Sequence, residues 1–551
     1  MSCLQKFWLK SYDQGVPEEI DPPMVTVIEH LEKRRQITGS MAALHYLGLT
    51  LTHEDVLSQA DRFACGLHAA GYGKGDVVGI CLPNMPQYSV TILGAFKAGC
   101  IISNVSPLLS LEEMASQLND CSAKVLVIAD VLFPKFAGIA DQAASVKLVL
   151  QAGIFDALKY DPAAQMPDLP GKSIKPFMAF LNEQEARPLP QVLTLDEVCF
   201  IQYTGGTTGM PKGALLTHRN LMSNMAQYAA VYPLEMGKDC FCSGLPMFHI
   251  AGLVVSMLGF YFGIAQILIP DPRNVEHIIK ECVKYKANIM VNVPTLYLML
   301  VREPEFRNAD WSSLKVCFSG AAPFSPEGIK ALEEVVGKGK LSELYGTTET
   351  CPLIAFDQKT ARKRVGSVGL PIPSTLVKIV DLSDGRTEVP IGESGEILVC
   401  GPQVMKGYHN KPEETVGVFH EDGGRRWLHV GDVGRMDEDG FLYLVDRTKD
   451  MIIVGGYKVF STEVEKVMHE HPAIELCAVI GEKNPDRPET EQVKLVVQQK
   501  PSHKNISEDA LREEILAFAR DKLAPYKVPK VVQFMEMPLT AVGKINKKIL
   551  R

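Results

Sequence analysis

Residues 201–213 read IQYTGGTTGMPKG, with four glycines, three threonines and one lysine following an apolar run. Glycines let successive backbone N–H groups wrap an anion. Thr204, Thr207 and Thr208 add hydroxyl donors, and Lys212 adds a positive charge. Residues 198–203 before the loop and KGALLTH after it both read as strands, so the loop joins strand to strand. The common ATPase loop, G-x-x-x-x-G-K-[ST], runs instead into a helix. Here Lys212 follows Pro211 and precedes Gly213, so the ending is wrong for a kinase or ATPase of that type. A Gly/Thr hairpin without chemistry is the plain alternative. Three threonines and a lysine so close together favour phosphate.

Outward from the loop, helix and strand signals alternate. In LTHEDVLSQADRFACGLHAAGYGKGD (51–76), Thr52 suits an N-cap, and Val56, Ala60, Phe63 and Leu67 recur at helical spacing. Gly71 ends that helix. DVVGICL is a short apolar strand, and a second helix runs to Gly99 before the strand CIISNV. The glycines at 71, 73 and 75 mimic a dinucleotide loop but follow a helix, which rules that motif out. Such alternation implies a layered, parallel α/β domain.

Residues 152–190, rich in Pro, Ala and Gln, read as a long surface connection between two subdomains. The α/β pattern resumes at Val198 and runs to about Gly369. STLVKIVDL, GEILVCG and GFLYLVDR then give strands with few helices between them. After Asp446, STEVEKVMHEHP reads as a capped helix, IELCAVIG and VKLVVQQ as strands, and SEDALREEILAFARDKL as an amphipathic helix. The segment DRTKDMIIVGGYK suits a hinge. The expected fold class is therefore α/β. A large N-terminal domain, 1–446, comprises layered α/β subdomains at about 1–190 and 191–370 and a small β-subdomain at 371–446. A mobile small α/β C-terminal domain, 447–551, follows.

A chain of 551 residues exceeds one hydrophobic core. At 46% apolar and 22% charged residues it has the composition of a globular protein. A net charge of −8 argues against a nucleic-acid partner. The basic knot Lys359, Arg362, Lys363 and Arg364 reads as a solvated loop, with a landing site for substrate phosphate as the alternative. Thirteen scattered cysteines, with only Cys240 and Cys242 close and spaced C-x-C, fit neither a zinc framework nor a disulfide scaffold. Reduced thiols and an N-terminus without an apolar h-region point to a cytoplasmic location. The uncharged stretch 250–269, IAGLVVSMLGFYFGIAQILI, is long enough to span a bilayer. Gly252, Gly259, Gly263 and Gln266 interrupt it, so a buried helix followed by a buried strand is expected.

Three further segments carry chemistry. LSELYGTTETCPL offers the flat face of Tyr345, a close turn at Gly346, the hydroxyls of Thr347 and Thr348, and the carboxylate of Glu349. A carboxylate beside triphosphate suits Mg²⁺. FSGAAPF is a strand followed by a small-residue turn where a planar base can approach backbone. HVGDVGRMDEDGFLYLVDRTKD supplies Asp432 and Arg447, and an acidic residue suits ribose hydroxyls. MPLTAVGKINKKILR places Lys544 beside Gly543, by default a solvated charge.

In this order, YTGGTTGMPKG, YGTTE, GD with DR, and the late GK resemble the adenylate-forming acyl-CoA synthetases over nearly the whole chain. The resemblance extends in fold to luciferases and aryl-CoA ligases. It implies that a carboxylate attacks the α-phosphate of ATP to give acyl-AMP and pyrophosphate, after which coenzyme A displaces AMP. It also implies that Thr204, Gly205, Gly206, Thr207, Thr208, Gly209 and Lys212 steady the phosphates, and that Thr204 and Glu349 hold Mg²⁺. Gly320, Ala321, Ala322, Pro323 and Tyr345 would pack on adenine. Glu343, Leu344, Gly346, Thr347 and Thr348 would complete the nucleotide site, and Asp432 and Arg447 would hold ribose.

Lys544 would bridge the carboxylate and the α-phosphate, and Gly455, Gly456 and Tyr457 would line the coenzyme A channel, with Lys449 as hinge. His249, in PMFHIAG, falls where the family lines the acyl pocket near the reacting carboxylate; a buried, satisfied histidine is the plain alternative. Val293, Pro294 and Tyr297 would border that pocket. AVGK stands for the usual TGK and HVGD for TGD, with Lys544 and Asp432 kept. The double glycine of YTGGTTG resembles bacterial fatty acyl-CoA ligases. An aryl-acid ligase, an acyl-AMP ligase loading a carrier protein and a non-catalytic lipid-binding protein remain as alternatives. The partners implied are small molecules, with peripheral membrane contact for lipid uptake, in a monomer or homodimer.

Overall fold

Two mostly parallel sheets carry the loop and its surroundings. The structure is a computed structural model that describes residues 6–22, 24–160, 166–189, 193–204, 211–322, 324–359, 363–455, 457–485, 487–503, 505–540 and 544–551. Among these residues one sheet has eight strands. Its centre is Val77–Cys81, with Ile101–Asn104 and Val198–Thr204 in parallel to one side and Ala123–Ala129, Leu148–Ala152 and Ser173–Pro176 to the other. Lys212–Thr217 then pairs antiparallel with Val198–Thr204, and Gly407–Tyr408 pairs with Lys212–Thr217. The expected strand–loop–strand setting is therefore an antiparallel hairpin at the sheet's edge region.

The second sheet has nine strands, with Cys240–Ser243, Ala265–Leu268, Ile289–Asn292, Val316–Ser319 and Leu341–Gly346 among its parallel members. The chain does not pass from one sheet to the other at a single point near residue 190. Ala42–Tyr46, early in the chain, pairs with Ala265–Leu268, while Val198–Thr204 joins the sheet of the first third. Parallel strands satisfy each other wherever the chain returns, so sheet membership interleaves along the sequence.

The helices follow the sequence signals closely. Thr52 caps His53–Ala69, its hydroxyl accepting from the Asp55 N–H. Gly99 adopts the left-handed conformation that ends Pro86–Ala98. The uncharged stretch is a helix, Ile250–Phe262, followed by the strand Ala265–Leu268, both mostly buried. No helix among the described residues is long and apolar enough to cross a membrane.

Three local readings are corrected. Residues 152–190 are not only a surface connection. They include an edge strand, Ser173–Pro176, and a short helix, Phe177–Asn182, whose Phe177 and Phe180 pack on Phe63. The helix Ser461–Met468 is not capped by its own serine or threonine. Asp446, at the end of the preceding strand Leu442–Arg447, accepts from the Ser461 N–H and from Ser461 Oγ at 3.0 Å. Thr462 Oγ1 donates to the Val445 carbonyl.

The basic knot is only partly a solvated loop: Lys359 is exposed, Lys363 and Arg364 are partly buried, and Arg362 lies outside the described residues. Lys363 Nζ donates to the carbonyls of Gly339 and Leu341 and to Ser342 Oγ. Arg364 pairs with Asp437 and Asp439, and Lys359 lies over the Tyr232 ring. Lys363 and Arg364 are thereby committed to carbonyls and carboxylates of other segments.

Beyond the two sheets lies an antiparallel sheet formed by Leu376–Val380, Gly395–Cys400, Phe419–Asp422, Arg425–Met436 and Leu442–Arg447. In the last segment Arg487–Gln499 is the middle strand, pairing antiparallel with Ile474–Asn484 and parallel with Val531–Phe534, and Ser461–Met468 and Glu508–Lys522 cover the sheet. Among the described residues twelve cysteines are free, and all but Cys400 are buried.

Candidate active site

The mouth of the loop is fixed by its two strands, which bring Thr204 opposite Lys212. Gly205, Gly206, Thr207, Thr208 and Gly209 lie outside the described residues, as do Pro323, Gly456 and Gly543. Lys212 pairs with Glu414 at 2.5 Å and lies 5.3 Å from the centre of the Tyr408 ring. Tyr408 was not legible in the sequence. It sits on the short strand beside Lys212–Thr217, and its hydroxyl donates to Glu349 Oε1 at 2.8 Å. One tyrosine thus ties the phosphate-loop hairpin to the YGTTE turn. A second tie is the bond from the Met405 N–H to the Glu349 carbonyl.

The YGTTE segment leaves the strand Leu341–Gly346 in a turn that only glycine can make. A Cβ on Gly346 would sit 1.6 Å from the Pro352 carbonyl oxygen. The Thr347 N–H donates to that same carbonyl. Ala321, in the small-residue turn after Val316–Ser319, has φ +68°, a conformation that non-glycine residues seldom take and that clusters at functional sites. A Cβ on Gly320 would meet Leu344 at 2.5 Å, so this turn and the 343–346 strand end are packed backbone to side chain. Glu343 is buried, and its N–H donates to Asp357. Burial, with the Asp357 charge beside it, pushes its carboxyl up to about 8.

Asp432 and Arg447 face each other across paired strands. Asp432 Oδ2 accepts from the Tyr345 hydroxyl at 2.6 Å, and Oδ1 lies 3.4 Å from Arg447 Nε. Lys544 enters this group from the last segment. Its turn is clasped by the Thr540 N–H donating to the Lys544 carbonyl and by the Lys544 N–H donating to Thr540 Oγ1. Burial lowers its ammonium to about 8; Arg447 adds to the depression and Asp432 opposes it. The lysine is therefore not a solvated charge but a largely buried one held among charged partners. His249 caps Ile250–Phe262, with Nδ1 accepting from the Ala251 N–H at 3.3 Å. Burial, together with the nearby Lys544, pulls it down to about 3, so the imidazole is neutral.

The structure thus brings together His249, Tyr345, Asp432, Arg447 and Lys544, which come from well-separated parts of the chain. Lys449 lies in the exposed turn after Arg447, and Gly455, with φ +56°, and Tyr457 are exposed in the hairpin that follows. Val293, Pro294 and Tyr297 are buried. The Tyr297 hydroxyl lies within hydrogen-bond distance of the carbonyls of Met290 and Phe318, so this residue braces two strands.

Mg²⁺ takes oxygen ligands and retains waters. The Glu349 carboxylate has one oxygen held by Tyr408 and, among the described residues, no hydrogen bond on the other. Thr204, half-buried at the loop mouth, adds a hydroxyl, and its strand touches the turn that carries Glu349. Two oxygen donors on adjoining elements suit the ion's preference for oxygen.

Residues 31–409 match the AMP-binding enzyme family, and residues 463–544 match the AMP-binding enzyme C-terminal domain. The chain is 38% identical to a long-chain-fatty-acid–CoA ligase of Bacillus subtilis, over 99% of this chain and 98% of that one. It is 35% identical to a protein of the same name from Escherichia coli O6:H1, over 100% and 98%. A solved anthranilate CoA ligase, AuaEII in complex with anthranoyl-AMP, superimposes with a TM-score of 0.84 at 26% identity, covering 96% of this chain and 97% of that one. With both family domains in order around one assembled site, the chain belongs to the AMP-binding enzymes, the adenylate-forming superfamily that includes the acyl-CoA synthetases.

Proposed function

We propose that this chain is an AMP-forming fatty-acid–CoA ligase. The fatty acid's carboxylate oxygen attacks the α-phosphorus of ATP, the bond to the β-phosphate oxygen breaks, and pyrophosphate leaves. The thiolate of coenzyme A then attacks the acyl carbon, and AMP departs. The observation that carries this reading is the setting of the Lys544 ammonium beside His249, Asp432 and Arg447. A cation there stabilises the charge that develops at the α-phosphate.

Lys212 and the loop steady the leaving phosphates, for which Lys212 exchanges Glu414 for phosphate. Gly320–Pro323 and Tyr345 pack on adenine, and Asp432 and Arg447 hold the ribose. Thr204 and Glu349 are the residues that would hold Mg²⁺, which shields phosphate charge when bound. Neutral His249 borders the reacting carboxylate. For the second step the last segment turns about Lys449, and Gly455, Gly456 and Tyr457 meet coenzyme A.

The fatty-acid assignment draws support from the full-length likeness to the Bacillus subtilis ligase. The likeness to the anthranilate ligase keeps an aryl acid as the second reading. The test is pyrophosphate release with ATP across fatty acids of rising length and several aryl acids, with and without coenzyme A. Acid-dependent pyrophosphate and thioester with fatty acids are expected. Turnover of aryl acids alone would reverse the substrate assignment, and pyrophosphate without thioester would point to a carrier-protein acceptor.

We also propose a cytoplasmic enzyme, monomeric or homodimeric, that touches membranes peripherally. The exposed Val131 and Phe155, which follow neighbouring strands of the eight-stranded sheet, support that contact.

A further inference from the structure

Residues 245–248 lead from the strand Cys240–Ser243 of the nine-stranded sheet into His249, yet side chains from the other sheet hold them. Asn84, just past Val77–Cys81, donates from Nδ2 to the Leu245 carbonyl at 2.9 Å and accepts at Oδ1 from the Met247 N–H at 2.8 Å. Gln202, on Val198–Thr204, donates from Nε2 to the Phe248 carbonyl at 2.8 Å. Phe248 directly precedes His249, which caps Ile250–Phe262. Thr204, two residues beyond Gln202, stands at the mouth of the phosphate loop. Residues i and i+2 of a strand project to one face. One face of one strand thus carries the loop's first hydroxyl and the amide that holds the approach to His249.

Gln202 is itself held. Its Oε1 accepts from Asn104 Nδ2 at 2.8 Å, and Asn104 Oδ1 accepts from the Tyr88 hydroxyl at 2.6 Å. All three side chains are buried. Gln117 Nε2 donates to the Asn104 carbonyl at 2.8 Å and fixes the backbone there. This relay has one polarity. The Phe248 carbonyl can only accept, so Gln202 must turn its amide nitrogen toward it and its oxygen toward Asn104. Asn104 must then present nitrogen to Gln202 and oxygen to Tyr88, whose hydroxyl must donate. Turning either amide over sets donor against donor or acceptor against acceptor in a buried setting, which is costly.

We propose that Gln202 is a positioning residue for the acid substrate: through the Phe248 carbonyl it fixes the start of helix Ile250–Phe262 and the His249 ring in register with the mouth of the phosphate loop. The proposal rests on the placement of His249 beside the reacting carboxylate. Attack on the α-phosphorus needs carboxylate and phosphate aligned, and a misplacement of about 1 Å can cost about a hundredfold in rate. A one-way relay of buried amides removes that freedom between the acid side and the phosphate side.

The test is acid-dependent pyrophosphate release by Gln202→Leu, His249→Ala and the double variant, with the acid that the substrate scan above turns over fastest, and with ATP binding measured separately without acid. Gln202→Leu should lower kcat/KM for the acid by about tenfold, the worth of one buried bond. Its affinity for ATP should stay within about twofold, whereas a merely loosened core would weaken both. In the His249→Ala background the same substitution should change kcat/KM by less than about twofold, because it acts through His249. Tyr88→Phe removes only the far donor; it should show the same selective loss at about threefold, and it decides the matter where Gln202→Leu folds poorly. Unchanged kcat/KM for the acid, an equal loss of ATP affinity, or a full loss persisting in the His249→Ala background overturns this proposal and leaves the placement of His249 standing. Unchanged kcat/KM for the acid in His249→Ala overturns that placement, and this proposal with it.

Discussion

Replacing Asp432 with asparagine should move the pH dependence of adenylation toward acid. Lys544 feels three influences: burial and Arg447 lower its pKa, and Asp432 raises it. The balance leaves it at about 8, so the free enzyme should lose its ammonium, and with it pyrophosphate release, as pH rises through that value. Asp432→Asn keeps a hydrogen-bond acceptor for the Tyr345 hydroxyl but removes the only one of these influences that favours the charged form. At an effective dielectric constant of ~20, a unit charge at ~6–12 Å contributes about 1.4–3 kcal/mol, or about one to two pH units. Residual solvent screening at this largely buried side chain favours the lower end, about one unit.

The sign follows from the direction of the equilibrium. The active form is the protonated one, so a lower pKa moves the falling limb from about 8 to about 7. The assay is kcat/KM for ATP in pyrophosphate release, from about pH 6 to about pH 10, because kcat/KM reports groups in the free enzyme. Weaker ribose binding lowers the whole curve without moving its limb. Lys544→Arg should abolish the limb in both backgrounds, since guanidinium stays charged. An alkaline limb unmoved by Asp432→Asn would refute the electrostatic coupling argued here.

Three other outcomes are expected. Glu349→Gln keeps the shape that Tyr408 holds and removes the charge, so pyrophosphate formation should drop steeply and the Mg²⁺ requirement should rise; an unchanged Mg²⁺ titration would count against the assignment. Lys544→Ala should lose adenylation by about 3 kcal/mol or more, roughly a hundredfold, yet still convert supplied acyl-AMP to thioester, which single-turnover assays of each half-reaction can separate. Gly346→Ala forces a Cβ against the Pro352 carbonyl and should cost more than about 4 kcal/mol, visible as loss of the folded protein in thermal denaturation.

Much of this architecture could be read from local sequence, because local forces set it. Thr52 and Gly99 mark helix ends through bonds and conformations that involve only near neighbours. The hairpin around the loop shows itself through two short apolar runs. The roles proposed for Arg447 and Lys544 come only from family resemblance, since nothing local brings residues 432 and 544 together.

What escaped reading depends on partners distant in the chain. Phe177–Asn182 is too short for a helical period to register, and it is held by Phe63. Lys363 and Arg364 look solvated until strands far away supply carbonyls and carboxylates. Tyr408 has no motif of its own; its importance comes from the pairing of Gly407–Tyr408 with the loop's second strand. Ser461 resembles an N-cap residue, but Asp446 from the preceding strand performs that task.

That last bond has a consequence for timing. A turn about Lys449 that withdraws Lys544 carries Ser461 and Thr462 away, while Val445 and Asp446 stay on their strand. The Asp446 carboxylate then loses two donors together, and Thr462 loses its carbonyl. With bonds to a charged group at the strong end of the range, the three amount to about 4 kcal/mol. If all three break before replacements form, that is about a thousandfold in rate relative to an unlatched linker. If the last segment turns about Lys449 as proposed, the carboxylate of Asp446 would act as a clock, giving the acyl-adenylate a dwell time behind Lys544 before the second reactant is admitted.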